Sequence, residues 1–393
     1  MWTPLVLLGV SLYVALMRLS RGLPPDLREG SNDLAIYRAA GEAVLRGEVP
    51  YRDFFLEYPP GSLPAFLTPA LFSDTNSGFI DRFSSEMALF LVAALVLVAL
   101  TARRLGGPPA WPVPALTFAA GALLLYPVAV TRYDAVVALS LAAAAFAAVL
   151  GGRYTPLAYA SVGLGVAAKL VPALAVLPLV FARRAAVGGL ALFFGVLAAF
   201  LVPALALGGA GYAESIAYHA QRGLQVESVA ASILMALGRV EGVVFEFGAF
   251  EVRGPGTALA ADLSLPLTVL LVGITGFVAY RTGRPDGADF PRHAAALILA
   301  FMLGSKVVSP QYMVWLLPLA PLCAPGLVGS ALCLLFLAAC LATTLVFPIH
   351  YADLLNARPP GPGLLLARNA LLVFLWGALL VLPTGNGPRE GLG

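Results

Sequence analysis

Eight stretches of this sequence are apolar over the length a helix needs to cross a lipid bilayer, at about 2–20, 84–102, 111–131, 135–151, 186–207, 260–280, 327–347 and 364–383. A hydrocarbon core of ~30 Å takes about 20 helical residues, so this repetition constrains the fold more than any motif does. Charge is correspondingly scarce, at 11% of residues, where a soluble domain carries roughly a quarter. A soluble globular enzyme, a disordered chain and a nucleic-acid binder are excluded, and the lipid bilayer is the first partner. Residues 1–17 carry no charged side chain, no basic n-region and no A-x-A site, so they read as an uncleaved first helix rather than a signal peptide. Cys323, Cys333 and Cys340 fall in apolar runs without CxxC spacing, which suggests neither a disulfide framework nor a zinc site. The net charge of +3 is too small to imply an anionic partner.

Two further apolar runs, 155–182 and 294–325, each contain a lysine, Lys169 and Lys306. These are the only lysines in the chain, the other 22 of 24 basic residues being arginine. The short loops 103–110 (Arg103, Arg104), 152–154 (Arg153), 183–185 (Arg183, Arg184) and 281–292 (Arg281, Arg284, Arg292) are rich in arginine, which places them in the cytoplasm. With Arg153 and Arg183 on one side, 155–168 and 171–182 must form a short hairpin with Lys169 at its apex and Pro172 opening the second limb. By the same logic 294–305 and 312–324 form another, with Lys306 and Ser309-Pro310-Gln311 at the apex. The expected fold is an all-α polytopic membrane protein, one domain over 1–393, with about twelve membrane segments and both termini cytoplasmic. Arg18, Arg21 and Arg28 after the first helix argue for the opposite orientation. The loop they open is about 60 residues long, though, and the charge rule is weak at that length. Every acidic residue except Asp286, Asp289 and Glu390 then falls on the extracytoplasmic side.

The first outer loop, 21–83, is the longest. LAIYRAAGEAVLRG (34–47) has the spacing of an amphipathic interfacial helix, with Asn32 or Asp33 at the N-cap and Gly47 at the C′ position. YRDFFLEYPP (51–60) is expected to be ordered but not helical, and SLPAFLTPALF (62–72) to form a second interfacial or re-entrant helix. The second outer loop, 208–259, holds YHAQRGLQVES (218–228) and then the moderately apolar 229–242. The third, 348–363, holds His350, Asp353 and Arg358.

Asp33 is either a helix cap or a carboxylate held near the membrane plane as a general base, and one oxygen can serve each role. Lys169 and Lys306 either snorkel to the interface or line a wet cavity and pair with an anion. Arg132-Tyr133-Asp134 is a local ion pair or part of a site. His219, Arg222 and Glu227 give the second loop a density of polar groups unusual for this chain, whereas His350 and Asp353 read as ordinary loop residues. GLGVAA (163–168) fits a dinucleotide fingerprint only formally, since no strand precedes it.

The stretch SNDLAIYRAAGEAVLRGEVPYRDFFLEYPPGSLPAFLTPAL (31–71) resembles the first extracytoplasmic loop of the GT-C glycosyltransferases, most closely family 87. The resemblance is carried by Asp33, Tyr37, Gly47, Pro50-Tyr51 and Tyr58-Pro59-Pro60-Gly61. AAKLVPALAVLPL (167–179) and SKVVSPQYMVWLLPL (305–319) resemble segments of the same superfamily. The second is also similar to the mannosyltransferases of glycosylphosphatidylinositol assembly. The resemblance implies a GT-C-type fold in the plasma membrane, with an extracytoplasmic active site. It also implies a polyprenyl-phosphate sugar, commonly mannose, as co-substrate, and Asp33 as the catalytic base. Relatives with D-x-D or a paired acid differ from this chain, which has Asn32 before a single Asp33. A divalent metal, which needs more oxygen ligands than that, is therefore not implied.

In that chemistry Asp33 takes the proton of an acceptor hydroxyl, on a glycolipid or glycan, as the oxygen attacks the anomeric carbon. The departing lipid phosphate needs cations in a low-dielectric pocket, for which Lys169, Lys306, Arg132, His219 and Arg222 are available. Tyr58, Gln311 and Tyr312 complete the expected substrate-binding set. A double displacement would need a second carboxylate, with Asp134 or Glu227 as the choices. The competing readings are a transporter or flippase of a lipid-linked sugar, and a glycan polymerase or ligase. No acid lies inside a clear span and no inverted repeat is visible, as a transporter would more naturally show.

Overall fold

Apolar sequence folds into helix along almost the whole chain, and the breaks between helices decide where the polar residues meet. The computed structural model describes residues 1–24, 32–182 and 186–382. Asp26, Arg28, Glu29, Arg183, Arg184 and Glu390 lie outside the described residues. In chain order come α1 (Trp2–Arg21), α2 (Asn32–Leu45), α3 (Leu63–Leu71), α4 (Asn76–Gly106), α5 (Pro112–Leu124), α6 (Tyr126–Ala129), α7 (Asp134–Leu150), α8 (Thr155–Ala168), α9 (Val176–Phe181) and α10 (Ala186–Gly208). Then follow α11 (Ala210–Gln221), α12 (Val229–Ala236), β1 (Gly242–Glu246), β2 (Ala249–Arg253), α13 (Thr257–Thr282), α14 (Phe290–Gly304), α15 (Met313–Leu316), α16 (Gly326–Thr344), α17 (Tyr351–Leu355) and α18 (Gly361–Val381).

Among the described residues, six helical segments are long and apolar enough to cross a membrane: α1, α4, α10, α13, α16 with its continuation to Ile349, and α18. The remaining expected segments are shorter or broken. α7, at 17 residues, spans only about 25 Å. The expected span 111–131 stops at Leu124 because Pro127, within the one-turn α6, has no N–H to offer the preceding turn. The expected helix 312–324 is reduced to one turn, Met313–Leu316, before Pro318 and Pro321. The two lysine apices do form. α8 ends at Ala168 with Lys169 extended, followed by a 3-10 turn at Val171–Ala175 and then α9. Likewise α14 ends at Gly304, just before Lys306.

The core is built from small residues. α7 (DAVVALSLAAAAFAAVL) packs between α4 and α8, and its alanines let the backbones approach closely, which is how helices associate where lipid is as apolar as the core. α10 packs on α8 and is largely exposed along its length, as befits a lipid-facing helix. A second, smaller apolar cluster (Leu224, Val226, Val252, Val346, Leu354 and Leu365) lies beneath the β-hairpin.

Two expectations need correction. The chain is not all-α, because Gly242–Glu246 and Ala249–Arg253, rich in the Val and Phe that favour strands, pair as an antiparallel hairpin with Phe245 opposite Phe250. Its two-residue turn, Phe247-Gly248, has both φ angles positive (49° and 70°), the conformation that matches the twist of the flanking strands. Asp33 is not a residue before the helix: α2 already begins at Asn32 and Asp33 sits in its first turn, its carboxylate drawn to partners elsewhere. The other end of α2 closes as expected, with Gly47 at φ 87° and the Glu48 N–H donating to the Ala43 carbonyl at 3.0 Å, a Schellman closure.

Candidate active site

Four breaks in the helical pattern converge at one end of the bundle: the start of α2 with the 51–60 loop, the α6–α7 turn, and the two lysine apices. Gly61 makes the first approach possible, since a Cβ there would lie 2.5 Å from the Ala167 carbonyl carbon. The Tyr58-Pro59-Pro60-Gly61 turn therefore docks directly on the end of α8.

Asp33 is held from two sides. Arg132 Nη2 lies 2.8 Å from Oδ2 and the Tyr58 hydroxyl donates to Oδ1 at 2.9 Å. Its side chain is 31% exposed, against 12% for Arg132, so the carboxylate is the accessible member of the pair. Each oxygen accepts more than one hydrogen bond and keeps room for an incoming hydroxyl. The Tyr58 ring is fixed edge-on to Tyr37, Phe66 and Tyr133 at 5.3, 5.7 and 5.4 Å, so its hydroxyl is pre-aimed at Asp33.

Arg132 and Asp134 do not pair with each other, which corrects the local-pair reading. Asp134, fully buried, takes Lys169 Nζ at 2.7 Å and Trp315 Nε1 at 2.6 Å. Lys169 sits 4.7, 5.9 and 5.4 Å from the ring centres of Tyr133, Tyr312 and Trp315, an aromatic cage for a cation, and Tyr312 stacks on Trp315. Lys306 Nζ donates to the carbonyls of Ala220, at 3.0 Å, and Arg222, where the end of α11 presents its negative dipole. Gln311 accepts from Ser309 Oγ at 2.6 Å within the same apex.

The second outer loop closes the site. Arg222 Nη2 pairs with Glu57 at 2.8 Å, and a ring nitrogen of His219 bonds the Glu57 carbonyl at 2.8 Å. Burial pushes the Glu57 carboxyl above its ordinary range despite Arg222, with Asp33 adding to the rise, and burial lowers His219. Glu227 is 1% exposed and accepts from Gln225 Nε2 at 2.9 Å; burial raises its pKa to about 8. His350 and Asp353 bond each other at 2.8 Å.

The structure thus gathers Asp33, Tyr58, Arg132, Asp134, Lys169, His219, Arg222, Lys306 and Tyr312 into one linked network. Gln311 lies at its edge, and Glu227 lies deeper, against α18. Three members were missed in the sequence. Glu57 adjoins Tyr58 in the recognisable loop, Trp315 follows Tyr312 in the second apex, and Arg368 is a buried arginine inside the last apolar run. The signal that marked the lysines, a cation inside a hydrophobic stretch, applies equally to Arg368. Glu57 is a further carboxylate of the site, and the charge of Asp33 adds to its raised pKa. Among the described residues, no group of three or more His, Cys, Asp or Glu side chains comes together.

The model for glycosyltransferase family 87 matches residues 55–310. That range takes in Tyr58, Arg132, Asp134, Lys169, His219, Arg222, Glu227 and Lys306, with Asp33 and Arg368 outside it. The structure is similar to that of ArnT from Cupriavidus metallidurans in the apo state, at 16% sequence identity and a TM-score of 0.50 over 96% of this chain and 76% of that one. No curated protein sequence matches the chain. A multi-pass helical bundle of the GT-C fold, matched over more than half its length by one family model, makes this chain a membrane glycosyltransferase that belongs to glycosyltransferase family 87.

Proposed function

We propose that the protein transfers a hexose, with mannose the first choice, from a polyprenyl-phosphate sugar to a hydroxyl of a lipid or glycan acceptor on the extracytoplasmic side of the plasma membrane, with Asp33 as general base. The observation that carries this reading is the Asp33 carboxylate, part-exposed between Arg132 and Tyr58, beside a set of cations at the end of a membrane bundle. In a single displacement the acceptor oxygen bonds the anomeric carbon and its proton passes to Asp33. The bond from the anomeric carbon to the phosphate oxygen breaks, and its electron pair leaves on the lipid phosphate.

The cations divide by their existing partners. Arg132 and Lys169 are opposed by Asp33 and Asp134 and serve to position. Lys306 bonds only carbonyls among the described residues, whereas Arg222 is opposed by Glu57 at 2.8 Å. Lys306 is therefore the natural donor to a phosphate, with Arg222 beside it. No step of this reading runs through a metal. The arginines of the short loops support the sidedness, which leaves the site outside with the lipid-linked donor.

A strain lacking the gene is complemented with wild type or Asp33→Asn at matched protein level, and its lipid-linked sugars and surface glycolipids are compared by mass spectrometry. A positioned base contributes roughly 100- to 10,000-fold, so the Asn variant should leave the glycan missing. Restoration of the glycan would move the base elsewhere.

A further inference from the structure

The C-terminal helix reaches into the site through a chain of hydrogen bonds. Arg368 on α18 is 1% exposed, and its Nη2 donates to the Glu227 carbonyl at 2.7 Å. The Glu227 side chain accepts from Gln225 Nε2 at 2.9 Å. The Gln225 side-chain oxygen accepts the Val308 N–H at 2.6 Å, and its backbone N–H donates to the Lys306 carbonyl at 2.9 Å. Both ends of the 306–308 turn are therefore tied to one glutamine. Lys306 Nζ, with two of its three protons on the Ala220 and Arg222 carbonyls, opens onto a pocket of about 320 Å³ that is also lined by Gln221, Arg222, Arg253 and Asp262.

Asn369, next to Arg368, makes a separate set of bonds, to the Ser228 carbonyl at 3.3 Å and Ser232 Oγ at 3.0 Å. That pair staples α18 to the start of α12 with no side-chain bond to Gln225 or Lys306, while the Ser228 N–H donates to the Gln225 carbonyl at 3.1 Å. The two neighbouring side chains therefore divide the work of holding the loop from that of aiming the lysine. Arg368 also keeps Nε and Nη1 unpartnered while fully buried, more polarity than a staple requires.

We propose that Arg368 and Gln225 are positioning residues for Lys306, aiming its remaining N–H into this pocket to receive the phosphate of the lipid-linked donor. The C-terminal helix, beyond the residues matched by the family model, is then part of the donor site. The inference rests on the reading of the donor as a polyprenyl-phosphate sugar.

The test uses full-length protein in detergent micelles with a C55 polyprenyl phosphate as probe, and hydrogen exchange at Gln225 and Val308 read in parallel. Arg368→Met should weaken binding of the probe by about tenfold or more, the size expected for loss of a charge-assisted contact, and should speed exchange at both amides. Gln225→Met breaks the same path at a second point and should act in the same direction, which keeps the test alive if Arg368→Met folds poorly. Asn369→Ala should leave probe affinity near wild type, and an equal loss there would reduce Arg368 to part of a structural staple. Wild-type affinity in both Arg368→Met and Gln225→Met overturns the inference. If wild type itself fails to bind the probe, the donor reading falls, and the exchange comparison alone decides whether Arg368 orders the Lys306 turn.

Discussion

Asp33 is part-exposed and Asp134 fully buried, and their partners give them opposite characters. Asp134 is closed off by Lys169 and Trp315, whereas Asp33 meets solvent with one oxygen on Arg132 and the other on Tyr58. Tyr58→Phe keeps the ring contacts and removes only the hydroxyl. A hydrogen bond to a charged group is worth about 1.5–3 kcal/mol, so transfer should fall roughly tenfold or more with the protein level unchanged, as measured by glycolipid yield against immunoblot. Glu227 carries a pH signature. Burial raises its folded pKa to about 8 from an ordinary 4.5, so the folded state holds a proton that the unfolded state has lost. Its contribution to stability is full below about 4.5 and is lost as pH rises through about 8. Thermal unfolding followed from pH 5 to 8.5 should decline with pH in wild type and be flatter in Glu227→Gln. Equal slopes would refute that assignment.

The elements explain why those partners meet. Asp134 starts α7 and Lys169 follows the end of α8, so their 2.7 Å contact depends on how closely the two helices pack. Gly165 allows that packing, since a Cβ there would sit 2.4 Å from Ser140 Oγ. Gly165→Val should force the helices apart at a cost of about 1–3 kcal/mol for overpacking. The expected readout is a lower melting temperature in detergent together with lost transfer, whereas a conservative surface change on α10 should do neither. At this scale periodicity was a good guide to α1, α2, α10 and α18, and prolines account for the helices that came out short. The strand-forming Val and Phe of VVFEFGAFEVR are legible in the sequence, but only FEVR at its end alternates, and an apolar background hides so short a period of two.

For the whole molecule, the distribution of charge carries the argument about sidedness. Arg103, Arg104 and Arg281 lie at the ends of α4 and α13, while Asp74 opens the turn into the start of α4, at the end that carries Asp33. Single cysteines introduced at Asp74, Arg104 and Arg281, with Cys323, Cys333 and Cys340 replaced, can be probed in intact cells with a membrane-impermeant maleimide. Asp74→Cys should label directly, and the other two only after permeabilisation. The reverse pattern would turn the site to the cytoplasm.

Hydropathy, the placing of arginine and the cost of a buried lysine are properties of the chain itself. From them follow a polytopic membrane protein and two short hairpins with Lys169 and Lys306 at their apices. Pairing is not a local property. Arg132 stands two residues from Asp134 yet serves Asp33, nearly one hundred positions away, because helix packing rather than sequence distance decides which charges share a low-dielectric space. The tertiary structure alone joined Glu57 to Arg222, caged Lys169 between three aromatic rings, and brought Arg368 of the last helix to the loop that holds Lys306.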